Sequence, residues 1–292
     1  MDMRRQRSIA LCVIALLGVG ALLATVLVVR PTPAVAQTDD MIIQNNNAFL
    51  MAMGQGSRIE LHAADVEKES WTQLASTATA GDTQITVQEN TGWEPGDLIA
   101  IASTSTDWQQ AEEFTIRSIS GNTITLDSPL EFSHRGETVR YDNGQTGADA
   151  RQWDVEIRAE VALLNRNITI QGDADSVNDG FGAHTMVHPG GAQHIQGVEY
   201  FRAGQRDLLG RYPTHWHLGG EVEGQYVEGA SIHNSFQKGI TIHGTSNTRV
   251  EDNVVYDHVG HGVFLEDGAE NDNQILDNLV FSTQESLSLI HI

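Results

Sequence analysis

Beyond residue 40 the chain runs in short stretches of alternating apolar and polar residues, each bounded by Gly, Asn or Asp. That is a strand-and-turn signature, with almost no helical periodicity. Residues 41 to 62 hold two such runs, Met41 to Gln44 and Arg58 to His62. In a second zone, Thr83 to Gln88 alternates as a strand and Gly92-Trp93-Glu94-Pro95-Gly96-Asp97 turns into Leu98 to Ser103. Glu113 to Ile119 and Asn122 to Leu126 are joined through Ser120-Gly121, a hairpin signal. Evenly spaced hairpins without helices predict a small antiparallel barrel or sandwich. Val155 to Val161 and Asn167 to Gln171 follow as two more strands.

A repeat then appears. Arg249-Val250-Glu251-Asp252-Asn253-Val254-Val255-Tyr256 matches Gln274-Ile275-Leu276-Asp277-Asn278-Leu279-Val280-Phe281 at a spacing of 25, with a weaker copy at Ser231 to Phe236. Between them Gly239-Ile240-Thr241-Ile242-His243 matches Gly262-Val263-Phe264-Leu265-Glu266 at a spacing of 23. Two strand types alternating at this period fit the rungs of a parallel β-helix, whereas propeller blades need roughly 40 residues or more. The expected fold is all-β: a parallel β-helix over 149–292, an antiparallel module over 67–148, and N-terminal β rungs over 37–66.

The first 36 residues read differently. Arg4, Arg5 and Arg7 precede an apolar run from Ile9 to Val29, and Ala34-Val35-Ala36 follows. Basic, apolar, then small is the layout of a signal peptide, cleaved after Ala36; an uncleaved membrane anchor is the alternative, and both export the chain. The only cysteine, Cys12, lies in this leader, so the mature chain has no disulfide. The formal charge is −22 over 292 residues; losing four arginines and Asp2 with the leader takes it to −25. Such a surface repels phosphate backbones and argues against nucleic-acid partners. The last residues, Ser286 to Ile292, end without the polar cap that a repeat array needs, which suggests a fragment with non-native final residues.

Nine of the twelve histidines fall between His184 and His261. In a strand, Thr214, Trp216 and Leu218 would point inward, with His215 and His217 outward. By the same alternation Ile240 and Ile242 go inward, with Thr241 and His243 outward. In the next rung Val263 and Leu265 go inward, with Phe264 and Glu266 outward. Stacked in register, His217, His243 and Glu266 form one outward column, and His215, Thr241 and Phe264 its neighbour, with rungs about 4.8 Å apart. Imidazole beside carboxylate can move protons or hold a divalent ion. Outward His, Asn and Thr also build structural hydrogen-bond ladders, so spacing alone leaves both readings open. His258 and His261 sit in a glycine-rich turn that could present His261 beside the column. The acidic turn Glu266 to Asp272 offers carboxylates to a divalent cation such as calcium, but no loop spacing here is diagnostic and a solvated turn explains it better. His184 and His188, four apart, share a strand face.

Gly210-Arg211-Tyr212-Pro213-Thr214-His215-Trp216-His217-Leu218 resembles the Gly-Arg-Tyr-Pro-x-His-aromatic-His signature of one family. That family contains the cell-migration-inducing hyaluronan-binding protein and the transmembrane cell-surface hyaluronidase. Trp93 to Asp97, Ile101 to Thr104, Gly121 to Leu126, Ala159 to Leu164 and Val254 through Gly268 support the resemblance, which covers roughly Ile59 to Asn273. It implies a right-handed parallel β-helix after a G-eight domain, with hyaluronan binding or depolymerisation. In this chain only Met41 to His62 stands where that glycine-rich domain should end. The candidate catalytic set is Arg211, His215, His217, His243, His261 and Glu266; Tyr212, Trp216, His258 and Asp267 are candidates for binding substrate. The expected partner is a uronic-acid polysaccharide, outside the cell. A non-catalytic glycan-binding or adhesive module, or a purely structural solenoid, is the alternative. Hydrolase and lyase chemistry are not separated by these residues: a hydrolase wants two suitably separated carboxylates, and Glu266 and Asp267 would face opposite ways in an extended strand.

Overall fold

The computed structural model describes residues 27–29, 41–44, 49–89 and 91–286. The proposed leader and its cleavage site lie outside them apart from Leu27–Val29, which pairs in parallel with Arg58–His62. The final residues 287–292 also lie outside. Among the described residues no helix is long and apolar enough to cross a membrane.

Three parallel sheets wrap one core as a right-handed β-helix. The first face stacks Met41–Gln44, Ile168–Gln171, Val198–Phe201, Ser231–Ser235, Val254–Val259 and Leu279–Gln284. The second stacks Phe49–Ala52, His184–Val187, Thr214–Glu221, Ile240–Ser246 and Val263–Leu265. The third contains Arg58–His62, Ala192–Gln196, Tyr226–Glu228, Arg249–Glu251 and Gln274–Leu276. The sequence repeat is the rung register itself: Arg249 pairs with Gln274, Val250 with Ile275 and Val254 with Leu279. The spacing-23 match likewise pairs Ile240 with Val263 and Ile242 with Leu265.

The corners explain the punctuation. Between the third face and the next rung the chain turns through a left-handed residue at Gly197, Gly229, Asp252 and Asp277, with φ of 62, 59, 55 and 51°. Gly and Asp tolerate that region, Asp because its short polar side chain bonds locally. Asn253 and Asn278 follow these aspartates and form a ladder: Asn253 Nδ2 donates to Asn278 Oδ1 at 2.8 Å and to the Val227 carbonyl at 2.9 Å. Inside, Ile59, Leu61, Ile195, Val198, Tyr200, Trp216, Ile232, Ile240, Ile242 and Val250 pack as one buried cluster.

The first rung, formed by Met41–Gln44, Phe49–Ala52 and Arg58–His62, is separated from the second by an inserted module. Its six-stranded sheet runs, in spatial order, Trp71–Gln73, Glu160–Leu163, Leu98–Ile101, Glu112–Ser120, Thr123–Leu126 and Gln84–Thr86. The two edges meet through an antiparallel bridge between Leu74 and Val87, which closes a barrel and leaves no free edge. The stretch read as one strand from Val155 divides. Gln152–Arg158 pairs with Gly136–Asp142 in an exposed ribbon, and Glu160–Leu163 enters the barrel, with buried Ala159 as the pivot. The barrel docks on the first face, where Ala100, Ala162 and Leu164 bury against Val254 and Tyr256. Trp71 Nε1 donates to the Asp277 carbonyl at 3.1 Å and secures this contact.

Candidate functional site

The second face carries the histidine stripe. Trp216 and Ile242 point into the core, so His215, His217, Thr241 and His243 point out by the two-residue alternation. His217 pairs with His243 in the strand register and His215 with Thr241, and Thr241 with Phe264. The Glu266 amide donates to the Ile242 carbonyl at 3.0 Å, which sets Glu266 above His243.

The two central imidazoles touch: His243 Nδ1 lies 3.1 Å from His217 Nδ1. Glu266 Oε2 is 3.8 Å from His243 Nδ1, and Asp267 Oδ2 is 3.2 Å from His243 Nε2. Both carboxylates therefore reach the same ring, contrary to the expectation that they diverge. The strand ends at Leu265, and the chain bends through residues 266–268, with Gly268 at φ 70°. Divergence required an extended backbone that the turn removes. His188 extends the column in the other direction, its ring 5.0 Å from that of His217. The sequence contained a signal for it: Thr185-Met186-Val187-His188 has the Thr-x-apolar-His pattern of Thr214 to His217.

His215 also leaves the sheet outward, but it is only 1% exposed. The loop from Arg202 to Pro213 folds over it. Its Nδ1 lies 3.2 Å from the Gly210 carbonyl, and the Tyr212 ring packs edge-on at 4.9 Å. A carbonyl only accepts, so Nδ1 carries the proton and Nε2 presents a lone pair. That Nε2 is buried without a hydrogen-bond partner. Burial pulls the pKa of His215 down to about 3, partly opposed by the Gly210 bond. His217 is also lowered, by burial and then by His243 and His188. Both rings are neutral at pH 7.

Several expected substrate contacts lie elsewhere. Trp216 is fully buried and its Nε1 donates to Gln225 Oε1 at 2.9 Å, so it is core and not a sugar platform. Tyr212 is fully buried as well. Burial pushes its phenol up to about 12, and its O–H donates to Glu266 Oε1 at 3.3 Å, so it positions that carboxylate. His258 belongs to the first face, fully buried, with Nε2 3.2 Å from Thr283 Oγ1. It cannot reach the column, because the turn at Gly260 separates the two faces. His261 stacks on Phe264 at 4.6 Å, at the margin of the site. Arg211 Nη1 lies 3.0 Å from His184 Nε2, which accepts. Burial, then the Arg211 charge, lowers His184 to about 4. Lys238, unrecognised in the sequence although one of two lysines, lies over the Tyr212 and Phe264 rings at 5.2 and 5.1 Å.

In the acidic turn, Glu270 Oε1 accepts the Gly244 and Asp267 amides, both at 3.0 Å. That oxygen serves the turn, while Glu270 Oε2 is buried without a hydrogen-bond partner. One ligand atom from each of His215, His217 and His243 lies within 4.8 Å of the others, so this trio could hold a metal ion.

Residues 180–291 match the CEMIP β-helix family. The chain is 37% identical over 277 residues to human Fibrocystin-L, which covers 80% of this chain and 6% of that protein. It is 34% identical over 241 residues to a G8 domain-containing protein of Dictyostelium discoideum, covering 82% of this chain and 20% of that one. Among solved structures, the tailspike protein gp49 of Pseudomonas phage LKA1 aligns with 81% of this chain and 41% of its own, at 13% identity and a TM-score of 0.24. The chain thus spans a small part of the curated relatives it matches.

Proposed function

We propose, from the premise that the chain belongs to the CEMIP β-helix family, that it is an extracellular module that binds and depolymerises a uronic-acid polysaccharide of the hyaluronan type. The observation carrying this reading is the outward column of His188, His217 and His243 with Glu266 and Asp267 at its end. A stripe running across successive rungs suits a long polymer, because each rung adds a contact at the same lateral position.

The proton logic follows from the contacts. Asp267 only accepts, so His243 Nε2–H donates to it and Nδ1 holds a lone pair. His217 Nδ1–H then donates to that lone pair, leaving His217 Nε2 bare. His217, half-buried and neutral, is the general base of the site, oriented through His243 by Asp267. Arg211 supplies a cation for a uronate carboxylate, locally offsetting the chain's negative charge.

The test is chain cleavage. Hyaluronan and other uronate polymers are incubated with the protein, and new reducing ends and unsaturated uronates are measured; the second appear only with a lyase. Removing the base by His217→Ala should lower the rate about 100- to 10,000-fold. If His217→Ala and His243→Ala together leave degradation unchanged, the catalytic column is wrong. Wild type that binds polymer but never shortens it would instead be a binding module.

A further inference from the structure

We propose that His215 Nε2, His217 Nδ1 and His243 Nδ1, completed by Glu266 Oε2, form a site for one divalent transition-metal ion of the zinc class. The three imidazoles already offer ligand atoms within 4.8 Å of one another. His217 Nδ1 and His243 Nδ1 are 3.1 Å apart, close to the roughly 3.3 Å that separates two nitrogens on one tetrahedral zinc.

Two further observations point to a ligand and not to a structural ladder. A ladder satisfies its own polar atoms, yet here His215 Nε2 and Glu266 Oε2 are buried without hydrogen-bond partners. Such orphans carry a desolvation cost that a bound group relieves. The far nitrogens are also already engaged. His215 Nδ1 is on the Gly210 carbonyl and His243 Nε2 is on the Asp267 carboxylate. A metal-bound histidine almost always gives its other N–H to a backbone carbonyl or carboxylate, which fixes the ring and the tautomer. Three imidazoles and one carboxylate oxygen suit zinc, copper, nickel or iron, whereas calcium takes an all-oxygen set. On binding, the proton of neutral His217 would move from Nδ1 to Nε2, so a metal-loaded His217 is a ligand and not the general base, and the two roles belong to different states of the chain.

The full chain is stripped with a chelator and dialysed. It is then titrated with Zn²⁺ by calorimetry and with Co²⁺ by visible absorption, with no polymer present. One ion per chain is expected, with an intense low-symmetry Co²⁺ spectrum that Zn²⁺ abolishes. His217→Ala, a half-exposed position, should weaken Zn²⁺ binding at least about tenfold with circular dichroism unchanged. Asp267→Asn should weaken it about 10- to 100-fold by loosening the carboxylate's hold on the His243 ring. His194→Ala, which alters a separate histidine–glutamate pair on the third face, should leave it unchanged. Absence of Zn²⁺ and Co²⁺ binding, or binding indifferent to both His217→Ala and His243→Ala, would overturn the site. Zinc bound by a protein that cleaves no glycan keeps this inference and removes the enzymatic one; cleavage without zinc binding does the reverse.

Discussion

His258 gives a stability term that can be isolated by pH. The ring is fully buried on the first face, Nε2 meets Thr283 and Nδ1 has no hydrogen-bond partner. Burial lowers its pKa from 6.5 to about 4. The folded chain therefore holds the neutral ring, while the unfolded chain takes up a proton near pH 6.5. Stability from this residue is fully present above about pH 6.5 and is lost as pH falls toward 4; below that the folded ring protonates too and the loss stops. At about 1.4 kcal/mol for each pH unit, the change across the window is about 3 kcal/mol. His258→Leu, similar in volume, removes the term at a cost of less than about 1.5 kcal/mol at neutral pH. Urea unfolding of both proteins at pH 7.5, 6, 5 and 4, followed by tryptophan fluorescence, measures the difference. The variant should gain on the wild type steadily below pH 6.5 and overtake it before pH 4. Parallel losses of stability in the two proteins would refute the assignment of a neutral buried imidazole.

Trp216→Ala should destabilise the chain by about 3–5 kcal/mol, whereas Trp216→Phe should leave polysaccharide affinity unchanged because the indole never reaches the groove; denaturation and binding isotherms read the two effects separately. At the left-handed corner residue Asp277, substitution by valine should cost about 1–2 kcal/mol and substitution by glycine little or nothing, as measured by urea midpoints. Tyr212→Phe removes the bond that holds Glu266 while keeping the ring. It should lower the turnover of polymer more than its apparent binding, and equal losses in both would place Tyr212 in substrate contact instead.

The local pattern determined the β-helix. Side chains alternate with a period of two, and each rung must repeat the one below, so Ile240 to His243 could be assigned inward and outward faces from the sequence alone. The same alternation put Leu218 inward, but its left-handed φ of 54° breaks the period and leaves it 48% exposed, and Leu265 on the last rung is exposed as well. The same logic aligned His217, His243 and Glu266, whereas the left-handed corners at Asp252 and Asp277, inside runs matched as strands, came only from the fold. Alternation states which way a side chain leaves its own strand, but not what lies above it. Only the tertiary structure showed the loop that seals His215 and Tyr212, because its path depends on contacts distant in sequence. The face that carries His258 depended on where the chain turns at Gly260, and the convergence of Asp267 on His243 depended on the bend after Leu265. Closure of the inserted barrel through Leu74 and Val87 also joins edges that no local pattern relates. Periodicity is written residue by residue, whereas burial of an outward-facing group is a sum over neighbours that arrive only when the whole chain has folded.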